Sequence, residues 1–157
     1  MTPRTKSARQ AADVKNLVES IFAAAADEVF EDGMESGFSR HLAELIRSYG
    51  EEAVDAIAQI VLNGSPNENA CSEALRWLGL IDHPATHENR RRLLEKALSS
   101  RSAAIRDSAG LGLSYLDDPR AIAHLKRAIA RERTEWVRRN LTMVLQQLEA
   151  KEKCPDS

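Results

Sequence analysis

ACSEALRWLGLIDHP, residues 70–84, returns as IRDSAGLGLSYLDDP, residues 105–119, 35 residues later and without a gap. Ala74 and Ala109, Leu78 and Leu113, Asp82 and Asp117, and Pro84 and Pro119 coincide. A third copy without the proline follows 32 residues on. In VRRNLTMVLQQL, residues 137–148, Val137, Arg138, Leu141, Leu145 and Leu148 fall over Ile105, Arg106, Ala109, Leu113 and Leu116. Self-similarity at this period marks a helical solenoid, in which each unit carries an apolar stripe that only its neighbours can bury. The expected fold is therefore all-α, a stack of antiparallel helix pairs.

Outward from this repeat, Ile57, Ile60 and Val61 match Leu94, Ala97 and Leu98, and these match Leu125, Ala128 and Ile129, which supplies a first helix for each pair. Pro84 and Pro119 stop the preceding helix and suit the first turn of the next. NGSPN (63–67), SSRS (99–102) and ERT (132–134) are short enough to force antiparallel packing within the pairs. The repeats are 50–83, 84–117 and 118–150. Ahead of them, Val14, Leu17, Val18, Ile21, Phe22, Ala25 and Val29 form one stripe and predict a helix over 11–30, ended by EDG (31–33). A shorter helix through Phe38, Leu42, Leu45, Ile46 and Tyr49 closes at Gly50. These two, within 11–49, cap the stack, giving seven or eight helices in a single domain over 1–150 and a polar tail over 151–157. No strand signal survives. Gly110 and Gly112 cost helix propensity and point either to close helix contact or to a soft spot.

A chain of 157 residues suits one domain. Hydrophobic residues at 43% and charged residues at 29% fit a soluble globular protein, and 4% aromatics fits helices packed through Ala and Leu. Residues 1–10 are polar and basic without the apolar core of a signal peptide, and no stretch approaches the length of a membrane span. A cytoplasmic location is expected. Cys71 on a helix face and Cys154 in the tail are two unrelated thiols, consistent with a reducing compartment, and Cys71 reads as a small core residue. The net charge of −2 hides a division: residues 27–82 hold twelve acids against three bases, a net of −9, and residues 83–157 hold fifteen bases against ten acids, a net of +5. Such a split steers a charged partner or favours head-to-tail self-association, although charges on outward helix faces also serve plain solvation.

Each pair resembles a HEAT repeat. DPRAIAHLKRAI (118–129) carries that family's first-helix pattern, and AIRDSAGLGL (104–113) and WVRRNLTMVL (136–145) carry the opening of its second helix. The resemblance covers residues 50–149 and departs from the pattern in the first unit, where Cys71 stands in place of Arg106 and Arg138. It implies a right-handed alpha-solenoid of three repeats whose second helices line a concave surface that holds other macromolecules. It also implies that Arg106 and Arg138 bond to a loop acid of a neighbouring unit, for which Asp82, Asp107, Asp117 and Asp118 are candidates. Exposed instead, their guanidinium forks suit a carboxylate or phosphate.

The candidate concave-face binding residues are Arg76, Trp77, Arg106, Arg138 and Arg139. Asp27, Glu28, Glu31, Asp32 and Glu35 form a solvated turn or, on the sharper reading, a docking surface for a basic protein. Arg90, Arg91, Arg92 and Lys96, with Lys126, Arg127, Arg131, Arg133, Arg138 and Arg139, raise a nucleic-acid reading. Against it stand the interleaved Glu88, Glu95, Glu132 and Glu135, a pI of about 6.1 and few aromatics to stack on bases. Asp82, His83, His87 and Glu88 are the nearest approach to a metal set, but Pro84 keeps the two histidines from sharing a helix face, and no metal or cofactor is expected. HEAT-based metal-dependent hydroxylases use several His-Glu pairs, and only His87-Glu88 is present here. HEAT-like DNA glycosylases read bases with aromatic and acidic side chains; Trp77, Trp136, Glu73 and Asp107 are of the right type, but no nucleophile, base and orienter stand at legible spacing. Trp136 reads as a packing wedge and Trp77 as a partly exposed anchor. No catalytic residue is assigned. The leading reading is a non-catalytic adaptor for a protein partner. The alternative is a nucleic-acid-binding or regulatory protein using the basic half. An enzyme or enzyme subunit ranks third, since a cofactor can supply chemistry the chain lacks.

Overall fold

The computed structural model describes residues 3–64 and 67–154, so part of the turn expected over 63–67 and the end of the tail expected over 151–157 lie outside the described residues. Among them the chain forms eight α-helices and no strand: α1 (Pro3–Ala24), α2 (Gly37–Tyr49), α3 (Glu51–Leu62), α4 (Glu68–Leu80), α5 (His87–Ala97), α6 (Ala103–Leu116), α7 (Ile122–Arg131) and α8 (Glu135–Lys153). Short 3-10 turns at Pro84–Thr86 and Pro119–Ala121 lead into α5 and α7, each prolines' ring entering at the first position. α8 continues to Lys153, so the tail begins as helix.

The first helix ends sooner than the apolar stripe predicts. It stops at Ala24, the backbone loosens through tight turns at Ala25, Ala26 and Glu28, and Val29 stands 87% exposed. Acidic side chains at Asp27 and Glu28 oppose the negative end of the helix dipole. The Asn67 side chain also intercepts the last turn, donating to the Phe22 carbonyl (3.2 Å) while its Oδ1 caps α4 by accepting from the Ala70 N–H (3.2 Å). Phe22 meets Phe38 edge to face at 5.1 Å, and Phe30 packs on the same ring at 5.6 Å, folding the connecting segment back. α2 starts with a reciprocal cap between Ser36 and Ser39. It ends at Gly50, whose φ of +57° lets the chain break and restart as α3 without a loop.

α5 packs with α6 and α7 with α8, whereas α3, which precedes α4 in the first unit, packs mainly on α1, α5 and α2; α4 packs on α6 more extensively than any other two helices pack. The reason lies in two glycines. A Cβ built on Gly79 would stand 2.0 Å from the Gly112 carbonyl oxygen, and one on Gly112 would stand 2.4 Å from the Leu75 carbonyl oxygen and 2.6 Å from Leu94 Cδ2. Backbone meets backbone there, so the close-contact meaning of Gly112 holds. The first helices approach one another less than the second helices α4, α6 and α8 do. Leu78, Leu94, Ala109, Leu113, Leu125, Val137, Leu141 and Leu148 fill the seams and are buried.

Polar side chains fasten the ends where one pair gives way to the next. Arg90, 2% exposed, donates from Nε to Thr86 Oγ1 (3.1 Å), from Nη1 to the Leu78 carbonyl (2.7 Å) and from Nη2 to the His83 carbonyl (2.9 Å). Burial pushes its guanidinium below the usual value, and Asp82 partly offsets this. Asp118 caps the turn before α7 by accepting from the Arg120 N–H (3.0 Å), and receives the Arg120 guanidinium, His87 Nε2 (2.8 Å) and Arg91 Nη1 (3.4 Å). Burial alone would raise the Asp118 pKa, but the Arg120 side-chain and backbone hydrogen bonds and that of His87 hold it well below the ordinary 3.8. Asp117 ends α6 in the left-handed conformation, φ +55°, and its carboxylate meets Lys151 Nζ at 2.8 Å. Asp tolerates this region better than most residues.

Three outcomes follow for stability in urea. Gly112→Ala should lose about 1–3 kcal/mol, overcoming the helix-propensity gain, because the new methyl meets fixed backbone; Gly37→Ala, with open space around it, should not destabilise. Leu113→Ala should lose about 2–5 kcal/mol, and a loss below about 0.5 kcal/mol would contradict its seat between repeats. Asp118 contributes stability that is complete above its ordinary pKa and is lost as pH falls through its lowered folded value. The stability gap between the wild type and Asp118→Asn, which retains a capping oxygen, should therefore shrink from about pH 5 to about pH 2.

Candidate functional site

On α4, Cys71, Ala74, Leu75 and Leu78 face the core, leaving Ser72, Arg76 and Trp77 half-buried. Glu73 beside them has a side chain only 3% exposed, and both its oxygens are held: Trp77 Nε1 donates to Oε1 at 2.6 Å and Arg76 Nη2 donates to Oε2. The other arm of Arg76 reaches Asp32 Oδ1 at 2.9 Å. The structure thus brings Arg76 and Trp77 together through Glu73 and ties them to the acidic segment. Asp27, Glu31 and Glu35 are exposed, Glu28 is half-buried, and Val29 and Met34 (58% exposed) stand among them, so the segment offers apolar as well as charged contact.

Arg106 lies in the first turn of α6 with its side chain 17% exposed. Nε and Nη2 hold the Glu132 carboxylate (2.7 and 2.9 Å), and Nη1 donates to the Ser100 and Arg101 carbonyls (2.9 and 3.1 Å). The Arg106 hydrogen bond pulls Glu132 below the usual carboxylate range, against the opposing effect of burial. The acid comes from the turn inside the next pair, Glu132, and not from the four aspartates expected. The geometry explains this: Asp117 ends the same helix eleven residues on, roughly 16 Å away at 1.5 Å per residue. Arg138, its counterpart on α8, pairs with Glu135 of its own helix (2.5 Å) and stays 45% exposed. Arg139 is exposed. Among the described residues no hydrogen bond or ion pair joins Arg76, Arg106 and Arg138.

Two sequence expectations are corrected. Arg90 and Arg91, counted toward a phosphate-binding run, are 2% and 8% exposed and hold carbonyls and carboxylates within the stack; Arg92 alone of the three faces solvent. Trp136, expected as a wedge, is 47% exposed, because Val137 beside it takes the inward position and a helix turns about 100° per residue. His83 and His87 turn to different partners, Thr86 (2.9 Å) and Asp118 (2.8 Å).

A groove of about 380 Å³ between α6 and α8 was not legible beforehand. Gly110, Leu141 and Val144 floor it, Leu111 walls one side, and Met143, 64% exposed, stands on the other. Its rim is a ladder across the helices: Asn140 Nδ2 donates to Asp107 (2.8 Å), Ser114 Oγ to Gln147 Oε1 (2.7 Å), and Gln147 Nε2 to the Ser114 carbonyl (2.8 Å). The signal in the sequence is an almost uncharged stripe, Gly110 and Ser114 against Asn140, Met143 and Gln147, in a highly charged chain. A larger cleft, about 590 Å³ and mostly apolar, lies between α1 and α2 along Leu17, Ile21 and Tyr49. No helix among the described residues is long and apolar enough to cross a membrane.

Residues 54–146 match the family model for HEAT repeats. No curated protein and no solved structure matches the chain. The match spans more than half of the sequence, from within α3 to within α8, and the chain belongs to the HEAT-repeat family.

Proposed function

We propose that this protein is a non-catalytic adaptor that holds a segment of another protein along the α4, α6, α8 face. HEAT repeats are commonly protein-interaction scaffolds, and the family is generally non-catalytic. The observation that carries the reading is the groove between α6 and α8: an apolar floor, a protruding Met143 and a rim of amide and hydroxyl groups. Such a site takes one apolar side chain from a partner while its rim offers hydrogen bonds to the partner's backbone. Arg76 and Trp77, held by Glu73, extend the face, and the acidic segment from Asp27 to Glu35 lies beside them and favours basic residues in the same partner. Arg138 and Arg139 are exposed at the start of α8 and available for contact, whereas Arg106 positions the turns.

The test is isolation of tagged protein from its host at two salt concentrations with nuclease. A stoichiometric protein partner should bind the wild type, and Met143→Asp should weaken it by at least about 30-fold, the effect of removing a hot spot of about 2 kcal/mol. Lys126→Glu, on the outer face, should not. Undiminished binding by a folded Met143→Asp protein would overturn the proposed face. The two ladder arginines should separate in urea. Arg106→Ala, which strands the buried Glu132, should cost about 2–3 kcal/mol, whereas Arg138→Ala should cost less than about 0.5 kcal/mol.

A further inference from the structure

The turns inside the second and third pairs lie side by side at one end of the stack, and a pocket of about 400 Å³ opens between them, lined by Ser99, Ser100, Arg106, Arg131, Glu132 and Arg133. The charges in it resolve into two groups. Glu132 is the one carboxylate of the lining; Arg106 grips both its oxygens and the Thr134 N–H adds a third bond at 3.0 Å. That pair is closed and neutral as a unit. Arg131 and Arg133 are not neutralised: Arg131 Nη2 touches only a hydroxyl, Ser99 Oγ at 3.3 Å, and Arg133 is exposed with no carboxylate partner among the described residues. The wall behind them is fixed, because Arg106 Nη1 holds the Ser100 and Arg101 carbonyls.

Two unneutralised guanidinium forks beside seryl hydroxyls on a fixed turn match a tetrahedral oxyanion carrying two charges. A phosphomonoester carries about −1.5 to −2 at neutral pH. A carboxylate would leave one fork unanswered. A nucleic-acid backbone carries one charge per phosphate and needs a continued track of cations. The lining of the pocket offers two such cations, Arg131 and Arg133, and the Arg90 and Arg91 side chains are buried elsewhere. We propose that this pocket is a phosphomonoester site, with Arg131 and Arg133 holding the phosphoryl oxygens and the Ser99 hydroxyl donating to one of them. It is separate from the groove of the α4, α6, α8 face and does not rest on the adaptor reading.

Titration of isotope-labelled protein with inorganic phosphate, at constant ionic strength set with chloride, tests it by nuclear magnetic resonance. Saturable shifts should be confined to the amides of 99–102 and 131–134 and the Nε–H groups of Arg131 and Arg133. Arg131→Gln combined with Arg133→Gln, both exposed positions whose fold is checked by circular dichroism, should weaken binding at least about tenfold, and Lys126→Gln should leave it unchanged. A short phosphoserine peptide and phenyl phosphate then identify the source. Tighter binding of the peptide assigns the site to a phosphorylated partner, and equal binding assigns it to a small phosphomonoester. Shifts that grow linearly without saturation, that chloride reproduces, or that survive in the double variant would overturn the proposal.

Discussion

Where α4 and α6 cross, the Gly79 and Gly112 backbones touch with no side chain between them, and the rest of the stack is arranged around that distance. Leu94 of α5 reaches the same spot, so the first helix of the second pair is seated by the contact its neighbours make. Leu78 and Leu113 then lie in the seam with almost no exposure, and the Leu78 carbonyl sits where the Arg90 guanidinium can take it. A buried arginine in such a place is a consequence of the packing. The turn after α4 leaves carbonyls unanswered by the helix, and a chain with several donors on a long stem satisfies them from the next pair.

Polar fasteners occupy the two ends of the stack, and the apolar seam occupies the middle. At the end holding the turns within pairs, Arg106 joins two successive turns through Glu132. At the other end Asp118 gathers cations from α5 and from its own turn, and Lys151 of α8 reaches back to Asp117. Charges whose partners are fixed in this way are withdrawn from recognition. What remains exposed is the groove between α6 and α8, the segment around Val29 and Met34, and the few cations without partners.

The architecture was legible because it rests on period and on proline position, which the chain repeats openly. The all-helical architecture and the short turns followed from the repeat within residues 70–148, whereas Gly112 left close contact and a soft spot both open until its approach to the Leu75 carbonyl was seen. Elements that depend on a distant partner were not legible. α1 ends where Asn67, 45 positions away, takes its carbonyl. Glu132 serves Arg106 although three of the four expected aspartates lie nearer an obvious loop, because a helix length separates them. Arg90 and Arg91 looked like surface cations, since burial of a guanidinium is visible only once its acceptors are in place. The groove escaped notice because it is made by what Gly110 and Ser114 lack, and an absence becomes a shape only against α8.

A stack of this kind turns order along the chain into order in space. The N-terminal pair meets α3 and α4, α4 meets α6 and α6 meets α8, so the acidic stretch 27–82 and the basic stretch 83–157 sit toward opposite ends. The molecule therefore carries an electric dipole directed along its stacking axis. In a partner's field it experiences a torque as well as an attraction, acting within about 8 Å at physiological salt. Encounters with a charged molecule are turned toward one polarity before any side chain makes contact.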